Sequence, residues 1–421
     1  MIHLGLKQPG MPVRGAPAVV ATDRSEFGSS DFVADLMRFR FAGQSPRNKS
    51  IDGVPFFVGE FWTARQRQAH ALHEVSYRAC FKPQLPEFFI ERLTAPGDVV
   101  YDPFMGRGTT PLQAALMGRC AIGNDINPLS VYLTRPRLAP ARLGPIADRL
   151  AAIDWRHDVD PEDPLLVFYH PETLSQILAL RRYLLEREAA GRIDAADDWI
   201  RMVALNRLTG HSPGFFSVYS LPPNQAVSLG AQGKINEKRR QVPPLRNVAA
   251  IILKKTRALL KDGALPAALP HLLLSRPASG TPEIADRSVD LVVTSPPFLD
   301  IVQYASDNWL RCWFAGIDAS SVAMDSLRKI DDVRRLRPAL DVAQRVVDHL
   351  MLLNAALAFE LRRQHVRGIV IAIPGEVAND NVGGGKLRLD QLLDLVGVHR
   401  HRYALRPWKA PATAWLARLQ G

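Results

Sequence analysis

The feature that most constrains this chain is a glycine-rich turn that joins an apolar strand to a helix. The apolar run at residues 99–101 ends at Asp102, and Gly106 and Gly108 follow within the turn. Glycine tolerates positive φ and lets the backbone approach a ligand closely. The helix that follows offers N–H groups with no partner inside the helix. A strand, a glycine-rich turn and a helix in this order predict an α/β protein that binds a ligand at a strand end.

The turn differs from two common nucleotide-binding loops. It lacks the third glycine of the dinucleotide pattern, and no Gly-Lys-Ser/Thr sequence follows as in a phosphate-binding P-loop. A nicotinamide oxidoreductase is therefore disfavoured. The next strand, at residues 120–123, ends at Asn124 and Asp125. An acidic residue at the tip of the second strand, about 20 residues on, usually holds a ribose diol.

A second motif follows the apolar run at residues 291–293. It reads Thr-Ser-Pro-Pro-Phe at residues 294–298. A serine hydroxyl at a strand end can accept a hydrogen bond from an amine. The two prolines stiffen the turn while their carbonyl oxygens stay available as acceptors, and the phenylalanine ring can stack on a base turned out of a helix. Alone, the motif is also consistent with a strand that ends in an ordinary Pro-Pro turn.

Together the two motifs resemble those of the S-adenosylmethionine-dependent DNA amino-methyltransferases, which make N4-methylcytosine or N6-methyladenine. The segment at residues 73–93, which is predicted to be helical, is similar to the element that precedes the cofactor loop in that family. The resemblance implies a doubly wound, Rossmann-like α/β fold. Its sheet would be mostly parallel and seven-stranded, and a largely helical insertion would follow the second strand.

The resemblance also implies roles for the site residues. The catalytic residues would be Ser295, Pro296, Pro297 and Phe298. The residues that bind S-adenosylmethionine would be Asp102, Pro103, Phe104, Gly106, Gly108, Thr109, Thr110, Asp125 and Thr294.

The first position of the catalytic motif bears on the target base. Ser295 favours cytosine N4, because family members that act on adenine N6 more often have Asp or Asn there. One family feature is missing: an Asp usually follows the third strand and meets the adenine of the cofactor. Residues 275–279 contain no acid, and the first ones are Glu283 and Asp286.

The composition fits a polyanionic partner. The 53 Lys and Arg residues exceed the 42 Asp and Glu residues, for a net charge of +11. Neutralisation of phosphates by such an excess supplies much of the affinity for nucleic acid. The expected partner is double-stranded DNA, and the resemblance also allows a restriction endonuclease encoded nearby.

The chain is expected to divide into four parts. These are an N-terminal extension at 1–70, the cofactor-loop part of the methyltransferase domain at 71–130, a target-recognition insertion at 131–268, and the catalytic-motif part at 269–421. The candidates for DNA contacts in the insertion are Arg207, His211, Phe215, Phe216, Lys238, Arg239 and Arg240. Basic side chains would bind phosphates, and aromatic ones would approach bases.

The three cysteines limit which metal sites and which methylation reactions the sequence allows. Cys80, Cys120 and Cys312 have no metal-binding spacing, so no metal is expected, and their scarcity suggests a reducing, cytoplasmic compartment. None follows a proline, which excludes C5-methylation of cytosine through a Pro-Cys thiolate. The sequence has no apolar run of about 18 residues, so no membrane span is expected. Its first 20 residues are interrupted by prolines and do not resemble a signal peptide.

Four alternative functions remain open. The same chemistry can act on adenine N6 or on RNA, although RNA N2-guanine enzymes usually have Asp in the first motif position. Protein glutamine methylation is disfavoured by Ser295, because those enzymes usually have Asn there. The fourth alternative is a catalytically inactive relic of the fold that binds DNA.

Overall fold

The computed structural model describes most of the first three quarters of the chain and three later strands. The described residues are 29–51, 54–61, 69–78, 80–221, 223, 225–263, 265–266, 269–278, 280–295, 304–319, 368–374, 403–405 and 413–419.

One sheet organises the described chain. Its strands are β1 (Arg47–Ile51), β2 (Val54–Val58), β3 (Val99–Asp102), β4 (Cys120–Asn124), β5 (His271–Leu274), β6 (Leu291–Thr294), β7 (Gly368–Pro374), β8 (Tyr403–Leu405) and β9 (Thr413–Leu419). They lie in the order β1-β2-β8-β9-β7-β6-β3-β4-β5. The α/β fold with a mostly parallel sheet is confirmed, because β5, β4, β3, β6 and β7 pair in parallel and β9 runs antiparallel to β7.

The expected count of seven strands differs from the nine observed. Seven strands form the series β8-β9-β7-β6-β3-β4-β5, and the antiparallel hairpin of β1 and β2 extends it. The hairpin joins because β2 pairs in parallel with β8. The strand order reverses at β3, which pairs with β4 on one side and β6 on the other. The crevice outside the carboxyl ends of strands at such a switch point is where open α/β sheets bind ligands.

Eleven α-helices occur in the described residues. They are α1 (Ser29–Arg38), α2 (Gln84–Leu93), α3 (Thr109–Leu116), α4 (Leu129–Leu138), α5 (Leu143–Ala152), α6 (Pro171–Ala189), α7 (Ala195–Leu205), α8 (Leu229–Arg239), α9 (Val248–Leu259), α10 (Tyr304–Asp307) and α11 (Trp309–Ala315). Short 3-10 helices occur at Ala71–His73 and Pro164–Val167. None of the helices in the described ranges is long and apolar enough to cross a membrane.

The helix predicted at residues 73–93 is wrong over its first half. The α-helix begins only at Gln84, after Pro83 with φ of −57° at the N-cap. A proline restricts the residue before it to extended conformations, so a helix cannot easily run through Lys82 into Pro83. The preceding segment instead offers backbone carbonyl groups that arginine side chains bind, as described below.

The strand residues alternate between the two faces of the sheet, as a period of two requires. Val100, Leu291 and Val293 are fully buried in a cluster that contains the apolar residues of α1 and α2. Tyr101 and Val292 point to the other face, where they pack in a separate cluster that also contains residues near the start of β6. Both faces of the central strands are therefore covered, which explains their continuous apolar sequence.

Six helices, α4 to α9, lie between β4 and β5 and contain most of the largest apolar cluster. The cluster is continuous with buried residues on both sides of this region, from Leu72 and Leu112 to Phe314. The division at residues 130 and 268 stays a prediction, and the residues described on either side of those boundaries share one core.

The N-terminus of α7 holds a fully buried carboxylate. Asp197 forms a capping box with Asp194, in which each side chain accepts from the other residue's backbone N–H. The Asp197 carboxylate also binds Arg149, and it accepts from Arg187 Nε at 2.8 Å. Two cations and the helix N-terminus thus compensate its desolvation.

Replacement of Asp197 by Ala is expected to lower the free energy of unfolding by about 3 kcal/mol, because it removes one half of the capping box and the buried carboxylate that pairs with Arg149 and Arg187. Urea unfolding followed by circular dichroism measures this. Asp148→Ala, which removes an exposed carboxylate from α5, is the control. Equal effects of the two substitutions would show that the buried ion pairs contribute nothing net.

Candidate functional site

The glycine-rich loop between β3 and α3 packs against the end of β4. Met105 N donates to Asn124 O at 2.9 Å, and Gly108 N donates to Met105 O at 2.6 Å. Gly106 and Gly108 have φ of 50° and 75°, in the left-handed region that favours glycine. The tight turn therefore needs both glycines, as the sequence predicted.

Gly108 is also constrained by its neighbour in α4. A Cβ atom at this position would lie 2.8 Å from Thr134 Cβ and closer still to the threonine hydroxyl. The loop and the first turn of α3 consequently lie directly on α4, and Leu112 N donates to Gly108 O at 3.1 Å to start the helix.

Asp102, at the carboxyl end of β3, connects the glycine-rich loop to the second motif. Its Oδ1 accepts from Phe104 N at 3.0 Å and from the Thr294 hydroxyl at 2.7 Å. The side chain is 1% exposed, and Oδ2 has no hydrogen-bond partner in the described part of the protein. Burial raises the pKa of Asp102 to about 7, although both hydrogen bonds favour the charged form.

Asp125 fixes the loop from the β4 side. Its Oδ2 accepts from Gly106 N at 2.8 Å, and its Oδ1 accepts from Asn127 N at 2.9 Å. Burial raises the pKa of this carboxyl, and the two backbone N–H groups oppose the rise. Each oxygen keeps a second lone pair, so the carboxylate can hold the loop and still accept from a ligand hydroxyl.

Arg107, between the two glycines, binds the segment that precedes α2. Its guanidinium donates to the carbonyl oxygens of His73 at 3.2 Å, Val75 at 2.8 Å and Phe81 at 3.4 Å. These bonds hold the segment at residues 73–81 over the loop. A Cβ at Gly106 would lie 3.5 Å from the ring of Tyr77 in this segment, so the ring packs on the loop backbone.

A second arginine lies under the loop. Arg137 in α4 is fully buried and donates to Leu133 O at 2.7 Å, Leu72 O at 3.2 Å and the carbonyl of Arg107. Burial, and after it the charge of Arg107, lowers the pKa of Arg137 to about 9. Sequence reasoning missed both arginines. The position of Arg107 inside a glycine-rich turn could have indicated its role in the site. Nothing in the sequence around Arg137 indicates that it lies under the loop.

The second motif begins beside the loop. Thr294 ends β6, and Thr110 in α3 donates its hydroxyl proton to Val293 O at 3.0 Å, which ties the helix to the same strand. Ser295 follows, partly exposed. Pro296, Pro297 and Phe298 lie outside the described residues, so their predicted roles remain predictions.

The structure therefore brings most of the predicted cofactor residues together. Asp102, Gly106, Asp125 and Thr294 form one hydrogen-bonded unit through the bonds given above. Pro103 and Phe104 follow Asp102 in the loop. Thr109 accepts from Arg107 Nε at 3.1 Å, so its hydroxyl supports the clamp on the upstream segment.

The candidate DNA contacts do not form one surface. Phe215 is 5% exposed and Phe216 is fully buried, so the prediction that these rings approach bases is wrong for this conformation. They fill the core because the loop at residues 210–220 folds back on α7, with Phe216 N donating to Arg207 O at 2.8 Å. His211, by contrast, is exposed.

The basic residues at the end of α8 remain on the surface. Lys238, Arg239 and Arg240 are all exposed. Arg239 lies over the ring of Tyr219, with its Cζ 3.8 Å from the ring centroid. Arg239 Nε also donates to Gln241 Oε1 at 3.3 Å. DNA binding by these three exposed side chains stays a prediction. Across the described ranges, no group of three potential metal ligands occurs.

Comparison with known proteins shows which family part of this chain resembles. The family model for DNA methylases matches residues 24–135, a segment that includes β3, the glycine-rich loop and β4. This match confirms the resemblance to the N4-cytosine and N6-adenine DNA methylase family, and the curated relatives agree with it.

Three of the curated relatives are type II methyltransferases. M.MjaII of Methanocaldococcus jannaschii is 40% identical over 74 residues, which are 18% of this chain and 14% of the relative. M.BsoBI of Geobacillus stearothermophilus is 21% identical over 281 residues, which cover 59% and 53%. M.MvaI of Kocuria varians is 28% identical over 111 residues, which cover 26% and 24%. The matched regions thus span about half of these relatives' length or less.

Two solved structures of an rRNA methyltransferase, aviRa from Streptomyces viridochromogenes, were also found. They are 13% and 12% identical to this chain, cover 83% of it and 89% of their own chains, and superpose with a TM-score of 0.28. A superposition this poor carries no argument about function.

Gly108→Ala is expected to weaken binding of the cofactor that the sequence predicts at this loop, because a Cβ at φ of 75° overlaps Thr134 and displaces the loop. Binding of S-adenosylhomocysteine by calorimetry should weaken by at least about tenfold, since strain of this kind costs of the order of 1–3 kcal/mol. The control is Gly118→Ala, whose φ of 74° is equally unfavourable but whose Cβ would meet nothing within 4 Å. An equal loss of S-adenosylhomocysteine affinity in both variants would mean that backbone strain, and not the contact with α4, is responsible.

Asp102→Asn is expected to stabilise the free protein increasingly as the pH rises. The folded-state pKa of about 7 exceeds the ordinary value of 3.8. Between these values the native state therefore binds more protons than the unfolded state, and wild-type stability falls with rising pH. The amide removes this effect and can still accept from Thr294 and Phe104.

Thermal unfolding at pH 5, 6, 7 and 8 tests the Asp102 prediction. The Tm of the variant minus that of wild type should increase up to about pH 7 to 8 and then level off. A difference independent of pH would contradict a raised pKa for this carboxyl.

Proposed function

We propose that this chain is an S-adenosylmethionine-dependent DNA methyltransferase whose target is the exocyclic amine of a base, with cytosine N4 as the acceptor. One observation carries the proposal. The buried hydrogen bond from Thr294 to Asp102 places the start of the Thr-Ser-Pro-Pro-Phe motif directly beside the glycine-rich loop. A methyl donor bound at the loop would then face the serine that follows Thr294.

The residues of the loop fit the proposed cofactor. Asp102 Oδ2 is a buried acceptor with no partner in the described part of the protein, so it suits the ammonium group of the cofactor's amino-acid end. Asp125 has lone pairs left for a ribose diol. When bound, S-adenosylmethionine would supply a methyl group activated by its sulfonium centre.

The protein's own contribution would be to position the amine. Ser295 Oγ and the carbonyl oxygen of Pro296 would accept hydrogen bonds from the target NH2 group, which orients its lone pair. Phe298 would stack on the base after it leaves the duplex. No covalent bond to the enzyme is needed, because alignment of the two reactants supplies most of the acceleration.

The choice of cytosine rests on Ser295, since Asp or Asn in its place is commoner among adenine enzymes. The choice of DNA rests on the family match and on the net charge of +11. The type II names of the relatives further suggest that a restriction endonuclease encoded nearby accompanies this chain.

Incubation of the purified protein with labelled S-adenosylmethionine and duplex DNA of mixed sequence tests the proposal, with mass spectrometry of the digested nucleosides. N4-methylcytosine is the expected product. N6-methyladenine would overturn the choice of base. Label in RNA or protein with none in DNA would overturn the substrate, and cofactor binding with no transfer at all would indicate an inactive relic.

Ser295→Ala should reduce the rate of methyl transfer by about a hundredfold or more, because it removes an acceptor that positions the amine in the transition state. The dissociation constant of S-adenosylhomocysteine should stay within a few-fold of wild type. Ser275→Ala is a matched control, since Ser275 follows β5 as Ser295 follows β6 and bonds only to Ile126 O at 3.4 Å. Loss of cofactor binding in Ser295→Ala would assign the serine a different role.

A further inference from the structure

Arg207, just beyond the end of α7, has a guanidinium group with no hydrogen-bond acceptor in the described part of the chain. Its Cζ lies 4.0 Å from the centroid of the Phe215 ring, so the two groups stack. Its Nε is buried and unpaired. Arginine carries five N–H donors in a planar fork, and none of them is matched by an acceptor among the residues that the structure describes.

The stack is held rigidly on its aromatic side. Phe215 is buried, and a Cβ at Gly210 would overlap its ring, so ring and backbone are in direct contact. The hydrogen bond from Phe216 N to Arg207 O closes the loop beneath the stack. The guanidinium is thus supported in one plane before any ligand arrives, which reduces the entropy lost on binding.

The charge around Arg207 is positive and only partly compensated. Lys255 Nζ binds Glu74 at 2.7 Å, so this cation and this carboxylate satisfy each other. Arg311, in α11, is buried and donates to four neutral oxygens, those of Leu205, Ser76, Pro223 and Asn308 Oδ1. The N–H groups of Arg311 therefore have hydrogen-bond acceptors, but none of these four oxygens carries a negative charge to balance the guanidinium.

The titration behaviour of Arg207 agrees with this environment. Burial, and after it the charge of Arg311, lowers the pKa of Arg207 to about 10, and the charge of Glu74 opposes this shift. An anion beside the guanidinium would stabilise the charged form and reverse these effects.

The site lies behind the segment that covers the cofactor loop. Asn206, the neighbour of Arg207, accepts from Ser76 N at 3.1 Å, and Arg311 donates to Ser76 O at 2.9 Å. Ser76 belongs to the segment at residues 73–81 that Arg107 holds over the loop. An anion bound at Arg207 would therefore be placed next to the cofactor-binding half of the site.

We propose that Arg207, stacked on Phe215 and backed by the uncompensated charge of Arg311, binds one backbone phosphate of the DNA strand that carries the target base. This inference rests on the proposed function. The unmatched planar fork fits two phosphate oxygens, which guanidinium groups bind through parallel hydrogen bonds. A phosphate contact would fix the position of the strand and would carry no sequence information.

Arg207→Gln tests the site, because glutamine keeps hydrogen-bonding capacity and loses the charge and the fork. Its matched control is Arg92→Gln. Arg92 also stacks on a phenylalanine, with its Cζ 3.9 Å from the Phe88 centroid, but its N–H groups bind Asp35 and Glu91, each at 2.9 Å. Both substitutions remove one charge from an arginine–phenylalanine stack. Only Arg207→Gln removes a guanidinium that has no acceptor in the described part of the chain.

The measurement is fluorescence anisotropy of labelled mixed-sequence duplex DNA at several salt concentrations, with S-adenosylhomocysteine binding by calorimetry alongside. Arg207→Gln should weaken DNA binding by about tenfold and reduce the slope of log affinity against log salt by about 1. Arg92→Gln should stay within about twofold, and cofactor affinity should be unchanged in both.

Each other result has a distinct meaning. If wild type methylates DNA and Arg207→Gln binds DNA as tightly as wild type does, the phosphate site is overturned and the proposed function stands. Weakened cofactor binding with unchanged DNA binding would assign the guanidinium to the carboxylate of the cofactor. Inorganic phosphate could also stabilise wild type against unfolding without stabilising Arg207→Gln, while both proteins bind DNA equally well. That result would show that Arg207 binds free phosphate and not a phosphate of DNA. Wild-type protein that neither binds nor methylates DNA would overturn the proposed function itself.

Should Arg207→Gln unfold, as circular dichroism would show, Arg207→Lys provides the test. It keeps the charge and loses the planar fork, so the salt slope should be retained while the affinity falls. An affinity equal to that of wild type would overturn the proposal, because a point charge would then be sufficient.

Discussion

The hydrogen bond between the Thr294 hydroxyl and the Asp102 carboxylate is the interaction on which the site depends. It joins residues that are 192 positions apart, at the carboxyl ends of neighbouring parallel strands. Because strands β3 and β6 flank the point where the strand order reverses, this bond lies at the crevice where an open α/β sheet offers its loops to a ligand. The same carboxylate accepts from Phe104 N, so a single buried group orients both the glycine-rich loop and the start of the second motif.

Carboxylates and arginines that are wholly or partly buried hold the loops of this region in place. Asp102 and Asp125 bind backbone N–H groups of the loop, whereas Arg107, Arg137 and Arg311 bind backbone carbonyl groups of the segments around it. Loops have no sheet or helix to satisfy their backbone groups, so side chains must do so when the loop is buried. The arginines in particular are matched by neutral carbonyl groups and not by carboxylates, and the region keeps a positive charge that suits an anionic substrate.

The errors of the sequence analysis have physical causes. The sequence at residues 73–83 has the apolar content of a helix, but Pro83 and the arginines that bind carbonyl groups of this segment oppose an α-helix before Gln84. Phe215 and Phe216 lie in a polar loop rich in turn residues, which suggested exposure. Their burial follows from a fold-back on α7 that no local pattern indicates. The strand β9, which no local pattern predicted, forms because β7 and β8 offer it edges to pair with.

The sequence alone determined the strands and turns whose signals are local: the apolar runs that become β3, β4 and β6, the two glycines that require left-handed backbone, and the acids at the ends of β3 and β4. These follow from steric limits on φ and from the burial of apolar side chains, which act over a few residues. Tertiary structure decided which of these ends meet, that Arg107 and Arg137 bind the upstream segment, and that Arg207 remains unpaired on a buried ring. Those outcomes depend on contacts between residues far apart in the chain, and the partner of a buried polar group is set only when the core closes around it.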